Sequence, residues 1–79
     1  VKMENVPFYP NPVENILFVQ DGMSDIFPLS IYDSRGRLVK YVGVPMSEID
    51  VSNLIQGVYF VLYRNKSSQG EATFKMMKE

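Results

Sequence analysis

Prolines and glycines punctuate this chain so evenly that long helices have no room. Five of each are spread over 79 residues, and the longest stretch free of both, Val58 to Gln69, is twelve residues. Inside a helix each glycine costs about 1 kcal/mol relative to alanine and each proline about 3 kcal/mol, so these residues act as boundaries. The segments between them are rich in Val, Ile, Phe and Tyr and alternate with a period of two, the pattern of a half-buried strand. Seven segments qualify: Val6 to Tyr9, Asn15 to Gln20, Phe27 to Asp33, Arg37 to Gly43, Ser47 to Val51, Gly57 to Arg64 and Glu71 to Met77. Their regular spacing predicts two packed β-sheets.

Two segments show how such sheets would be buried. Phe27, Leu29 and Ile31 share one face of their strand while Pro28, Ser30 and Tyr32 share the other, so one face is expected inside. The strand from Gly57 carries Val58, Phe60 and Leu62 on one side and Tyr59, Val61 and Tyr63 on the other. Apolar on both faces, it is expected to be central, with its outer face partly covered. The expected core draws on Leu17 or its neighbours, Leu29, Ile31, Leu38, Ile49, Phe60 and Phe74. A helix over Met46 to Gln56, capped by Ser47, competes with a strand ending at Val51. The alternation of Ile49, Asp50 and Val51 favours the strand, with a turn or one turn of 3₁₀ helix over Ser52 to Gln56.

Asp33-Ser34-Arg35-Gly36 reads as a hairpin turn, with Asp at the first position of a type I turn and Gly36 free to take the positive φ that follows. A positive φ is also expected at Gly57, ahead of the densest apolar strand. Pro10-Asn11-Pro12 lacks two backbone donors and stops any ladder, which suits a crossing between sheets. Asn65 to Gly70 is a polar hairpin loop, and its Asn65-Lys66-Ser67 sequon matters only in a host that N-glycosylates.

Composition excludes several classes of function. The chain is 46% hydrophobic and 22% charged, too apolar for a disordered tail. Its longest glycine-free apolar run, Val58 to Tyr63, is six residues, far short of the roughly 20 that span a bilayer as a helix. No basic segment, apolar core and small-residue cleavage site open it, so no signal peptide is visible, and a start at Val1 reads as a fragment of something longer. Eight basic against nine acidic residues leave a net charge of -1, without the basic footprint of a nucleic-acid binder. With no cysteine there is neither a disulfide framework nor a thiolate metal site, and with no histidine the commonest general base is missing.

The remaining candidates for chemistry are weak. The carboxylates form no recognisable acid/base pair, which leaves a free-standing hydrolase without its central requirement and predicts no catalytic residue. Asp21-Gly22-Met23-Ser24-Asp25 offers two carboxylates but lacks the alternating ligands and distal Glu of a calcium loop, and a hairpin turn is the expectation. Tyr59 and Tyr63, four apart on a strand, could stack on a sugar or a partner protein, but a domain this small needs its aromatic area for its own core. No cofactor or metal is expected. Lys75 and Lys78 read as edge-strand charges that discourage aggregation.

Several segments taken together resemble the C-terminal sorting domain of the type IX (Por) secretion system of Bacteroidetes. The resemblance rests on Phe8-Tyr9-Pro10-Asn11-Pro12 followed by Asn15-Ile16-Leu17, and on Ile31 to Val39 around Asp33-Ser34-Arg35-Gly36. It continues through Ile49 to Leu54 and Gly57-Val58-Tyr59-Phe60-Val61, and ends at Lys75-Met76-Met77-Lys78-Glu79. Met76-Met77 stands where the family often has an aromatic or branched pair. The resemblance implies an all-β, immunoglobulin-like sandwich of about seven antiparallel strands, with residues 1–79 as a single C-terminal sorting domain of a larger exported protein. The motif positions it assigns are Pro10, Asn11, Pro12, Gly36, Gly57, Tyr59, Lys75 and Lys78. It further implies an N-terminal cargo domain, recognition by translocon and sortase proteins, passage through periplasm and outer membrane, and a final place at the cell surface or in the medium. The competing reading is an accessory β-sandwich module that binds carbohydrate or stabilises a neighbouring catalytic domain.

Overall fold

The computed structural model describes residues 6–65 and 70–79. They form seven strands: β1 (Phe8–Tyr9), β2 (Ile16–Val19), β3 (Leu29–Asp33), β4 (Leu38–Val42), β5 (Glu48–Asp50), β6 (Gly57–Asn65) and β7 (Gly70–Lys78). Each lies within or overlaps one of the seven expected segments. A three-stranded sheet has the order β1-β2-β5 and a four-stranded sheet the order β4-β3-β6-β7, with every strand pairing antiparallel. Near the start of β6 the Tyr59 hydroxyl donates to the Ile55 carbonyl at 2.6 Å, a tyrosine corner of the kind found in immunoglobulin-like sandwiches. The expected all-β sandwich is therefore present, and β6 is an interior strand between β3 and β7.

Both sheets turn one face inward. Leu17 and Val19 of β2, Leu29 and Ile31 of β3, Ile49 of β5, Tyr59 and Val61 of β6 and Met76 of β7 meet in one core, joined by Phe8, Val13, Ile26, Phe27, Val42 and Val51. Phe74 packs against it half-buried, its ring 5.2 Å from that of Phe8, whose edge also meets the ring of Tyr63 at 5.1 Å.

Two expected core residues lie outside. Leu38 is 55% exposed because β4 carries a bulge: Ile31 pairs with Lys40 but Tyr32 pairs with Leu38, so the extra Val39 reverses the alternation. Without it Leu38 would share the inner face of Val42. Phe60 is 36% exposed because β6 must choose between two apolar sides, and the pairing of Val61 with the buried Ile31 turns Tyr59 and Val61 inward. The outer side is partly covered as expected, with Val58 and Leu62 half-buried on either side of exposed Phe60.

The connections bear on three further expectations. Residues 20–28 do not form a hairpin, since they carry the chain from one sheet to the other, with a 3₁₀ turn at Ser24–Ile26 anchored by buried Ile26. The 3₁₀ turn lies there and not over Ser52 to Gln56, which is an ordinary turn led by Asp50, whose carboxylate accepts from the Ser52 backbone and hydroxyl. Pro10-Asn11-Pro12 stops the β1 ladder and carries the chain to the edge of the other sheet, where Asn11 and Val13 bond to β7 before β2 returns to pair with β1. The loop expected at Asn65 to Gly70 is flanked by the Asn65–Gly70 pair, while residues 66–69 lie outside the described residues.

Candidate recognition site

The terminal strand is held from both sides. Along one side β6 pairs with it from Gly57–Lys78 through to Asn65–Gly70. Its other side is the sheet edge, yet residues 75–79 are not bare there. The Asn11 side-chain amide donates to the Lys75 carbonyl at 3.0 Å and its oxygen accepts from the Met77 backbone N–H at 2.8 Å. Val13 continues the same line: its N–H donates to the Met77 carbonyl, and its carbonyl accepts from the Glu79 N–H, both at 2.8 Å. Val13 and Lys78 form a parallel bridge.

The chemistry of this clamp follows from the prolines. Pro10 and Pro12 have no N–H and cannot continue a ladder. A carboxamide carries one acceptor and two donors, so the Asn11 side chain can replace one peptide unit of a neighbouring strand. Val13, the first residue past the prolines, has its backbone available and supplies the next unit. The ordinary sheet-edge hazard is thereby removed over the last five residues of the chain described here.

The two lysines part company. Lys75 is exposed, but Lys78 is only 7% exposed, and its ammonium donates to the Glu79 backbone oxygen at 2.8 Å. Residues three apart on a strand face opposite sides, so only one could look outward. Lys78 shares the inner parity of buried Met76, and its head reaches a backbone acceptor. The expectation of an exposed edge holds for Lys75 and is corrected for Lys78.

The other motif positions lie at the same end of the four-stranded sheet. Gly57 has φ +154° and pairs with Lys78, while Tyr59, buried, pairs with Met76 on one side and Asp33 on the other. Asp33 opens the hairpin turn that contains Gly36, whose φ is +84° and whose N–H donates to the Asp33 carbonyl at 2.9 Å. One carboxylate oxygen of Asp33 accepts from the backbone N–H groups of Arg35 and Arg37, and the other accepts from the Arg37 guanidinium, each at 2.9 Å. Chiefly through the Arg37 backbone bond, with its guanidinium adding to it, these contacts hold the Asp33 carboxyl below its usual value. Ser52 and, more weakly, Lys40 do the same for Asp50. Val13, Met77 and Glu79, which complete the clamp through backbone groups, carry no side-chain signal by which sequence could single them out.

The profile of the secretion system C-terminal sorting domain family, the Por secretion tail, matches residues 7–79. The chain belongs to that family. No curated protein and no solved structure matches it. The sorting domain is the C-terminal signal for type IX secretion, which takes its bearer across the outer membrane to the cell surface or the medium. It interacts with the type IX machinery as a secretion signal, a family role that is not catalytic. The sorting domain described here has no helix among its described residues long and apolar enough to cross a membrane.

The accessory-module reading receives no support. Its strongest feature was the Tyr59 and Tyr63 platform, but both rings turn toward the interior, Tyr59 to its corner bond and Tyr63 against Phe8. Among the described residues of the sorting domain, no three His, Cys, Asp or Glu side chains gather where they could hold a metal ion.

Proposed function

We propose that residues 1–79 form the C-terminal domain of a larger exported protein and that the translocon reads it where β7 ends, a surface sortase then separating it from its N-terminal cargo. The observation that carries this reading is the clamp of Asn11 and Val13 on residues 75–79, which draws the first and last motifs of the sorting domain into one structure. Within that site the residues divide by task. Exposed Lys75 is free to contact the machinery, while Pro10, Asn11, Pro12 and Lys78 hold the terminal strand in place. Gly36, Gly57 and Tyr59 shape the turns and the corner beneath it.

A reporter fusion tests the proposal. A fluorescent protein with a periplasmic signal peptide in front and this domain behind should reach the surface or medium of a type IX-competent host. It should lose the domain there if the sortase acts on it. A folded fusion that stays in the periplasm would overturn the reading.

A further inference from the structure

A sandwich of two open sheets has four edge strands, and three of them offer little to an added strand. β1 and β5 are only two and three residues long. β7 is occupied from Lys75 onward by Asn11 and Val13, and Gly70-Glu71-Ala72 at its start are residues depleted in strands. β4 is different: five residues long, it has no partner among the described residues on the side away from β3. Its sequence, Leu38-Val39-Lys40-Tyr41-Val42, is aliphatic or aromatic at every position but one. Such a segment, left bare on an edge, pairs readily with a copy of itself.

Lys40 is the exception, and the register aims it inward. It pairs with buried Ile31, and Val42, two residues on, is buried as well. Lys40 is accordingly half-buried on the core side, in a cleft that it lines together with Val42 and Ile49. Its ammonium makes no ion pair or hydrogen bond among the described residues. Asp50 on β5, held low chiefly by Ser52, feels the charge more weakly. A second copy laid along β4 would carry that charge into the joint. In the fully overlapped antiparallel register Lys40 meets Lys40, and the bulge at Val39 sets outward Leu38 against inward Val42. Slid by two residues, Lys40 meets Val42 instead, and the ammonium is pressed among apolar side chains.

We infer that Lys40 keeps the free edge of β4 from pairing with a second copy of this chain. An inward-pointing charge and a bulge are two recurrent ways of blocking sheet extension, and here they fall on adjacent residues. The two long edge strands are thus guarded differently. β7 has a clamp that fills its end, and β4 has a charge that makes filling it costly. The guard on β4 acts on the chain by itself, whatever partner reads the strand end.

Sedimentation velocity over a concentration series, with hydrogen exchange on the same samples, tests this on the 79-residue chain. Lys40→Val should self-associate at least about tenfold more tightly than the unaltered chain. Lys40→Met, which keeps an unbranched stem, should do the same and decides the matter if the valine variant proves unstable. In either assembly the amides of residues 40–42 should gain protection. Lys40→Arg keeps the charge and should stay as monomeric as the unaltered chain. So should Lys75→Val, which lies on the edge that is already filled. A folded neutral variant that remains a monomer would overturn the inference, as would an assembly that leaves residues 40–42 unprotected. Association of Lys40→Arg or Lys75→Val to the same degree would overturn it too, because an inward charge at position 40 would then not be the deciding feature. Pairing of the unaltered chain through β4 would show that the edge is not guarded at all.

Discussion

Two polar side chains, Asp33 and Asn11, each do work that backbone normally does, at opposite ranges of sequence. Asp33 organises its hairpin through bonds to residues two and four positions away. Asn11 stands in for a strand against partners 64 and 66 positions away. The first interaction forms with little loop to close, whereas the second exists only after both sheets have assembled. A local turn thus sets up β3 and β4, and a long-range clamp reports that the domain is complete.

The sharpest way to break this contrast is to remove the clamp alone. Asn11→Ala should cost about 1–3 kcal/mol, the value of two lost hydrogen bonds with one backbone N–H and one carbonyl left to water. Hydrogen exchange should show the loss in the amides of Met77 and Glu79 while the amides of the Asp33 turn stay protected. Asn11→Asp sharpens the test, since a carboxylate still accepts from the Met77 N–H but offers no donor to the Lys75 carbonyl. Equal loss of protection at both ends would mean that the terminal strand is not an independent unit.

The same contrast governs what could be read in advance. Strand positions, the Asp33 turn and the inward set Leu17, Leu29, Ile31 and Ile49 are written in local alternation and were legible. Three features were not. Val39 adds one residue to β4 and turns Leu38 outward, and no local signal marks a bulge among Leu, Val, Lys and Tyr. β6 is apolar on both sides, so the choice of Tyr59 over Phe60 was made by its partner Ile31. The clamp joins residues from the two ends of the domain, and a motif shows that Asn11 matters without showing what it touches. The type of each element was local, while the outward turn of Leu38 and Phe60 and the clamp were products of register.

A smaller effect separates the two lysines that sequence treated alike. Lys78→Ala removes a buried side chain and its bond to the Glu79 oxygen and should cost about 1 kcal/mol. Lys75→Ala should shift stability by less than about 0.5 kcal/mol, as exposed substitutions usually do. If the proposed division of roles is right, Lys75→Ala lowers secretion at an unchanged thermal midpoint, whereas Lys78→Ala lowers both together. Matching thermal shifts for the two would put the lysines back in one class.

The smallest effect is in pH, and it falls on the hairpin alone. The Asp33 carboxyl is held below its ordinary value by the Arg37 and Arg35 contacts, so at acid pH the unfolded chain takes up its proton first. Its stabilising contribution is therefore complete above the unfolded value of about 3.9 and fades as pH falls through the lower folded one. Asp50 behaves in the same direction through Ser52. Asp33→Asn keeps an oxygen for the turn amides but gives up the charge, so its thermal midpoint should lie below that of the unaltered domain at pH 7 and converge with it only as pH falls below the folded value. Asn11 and Val13 carry no ionisable group, so exchange at the Met77 amide, corrected for its intrinsic pH dependence, should not follow that convergence. A clamp that loosened in step with Asp33 would show that the turn and the terminal strand, two strands apart across the sheet, open as one unit.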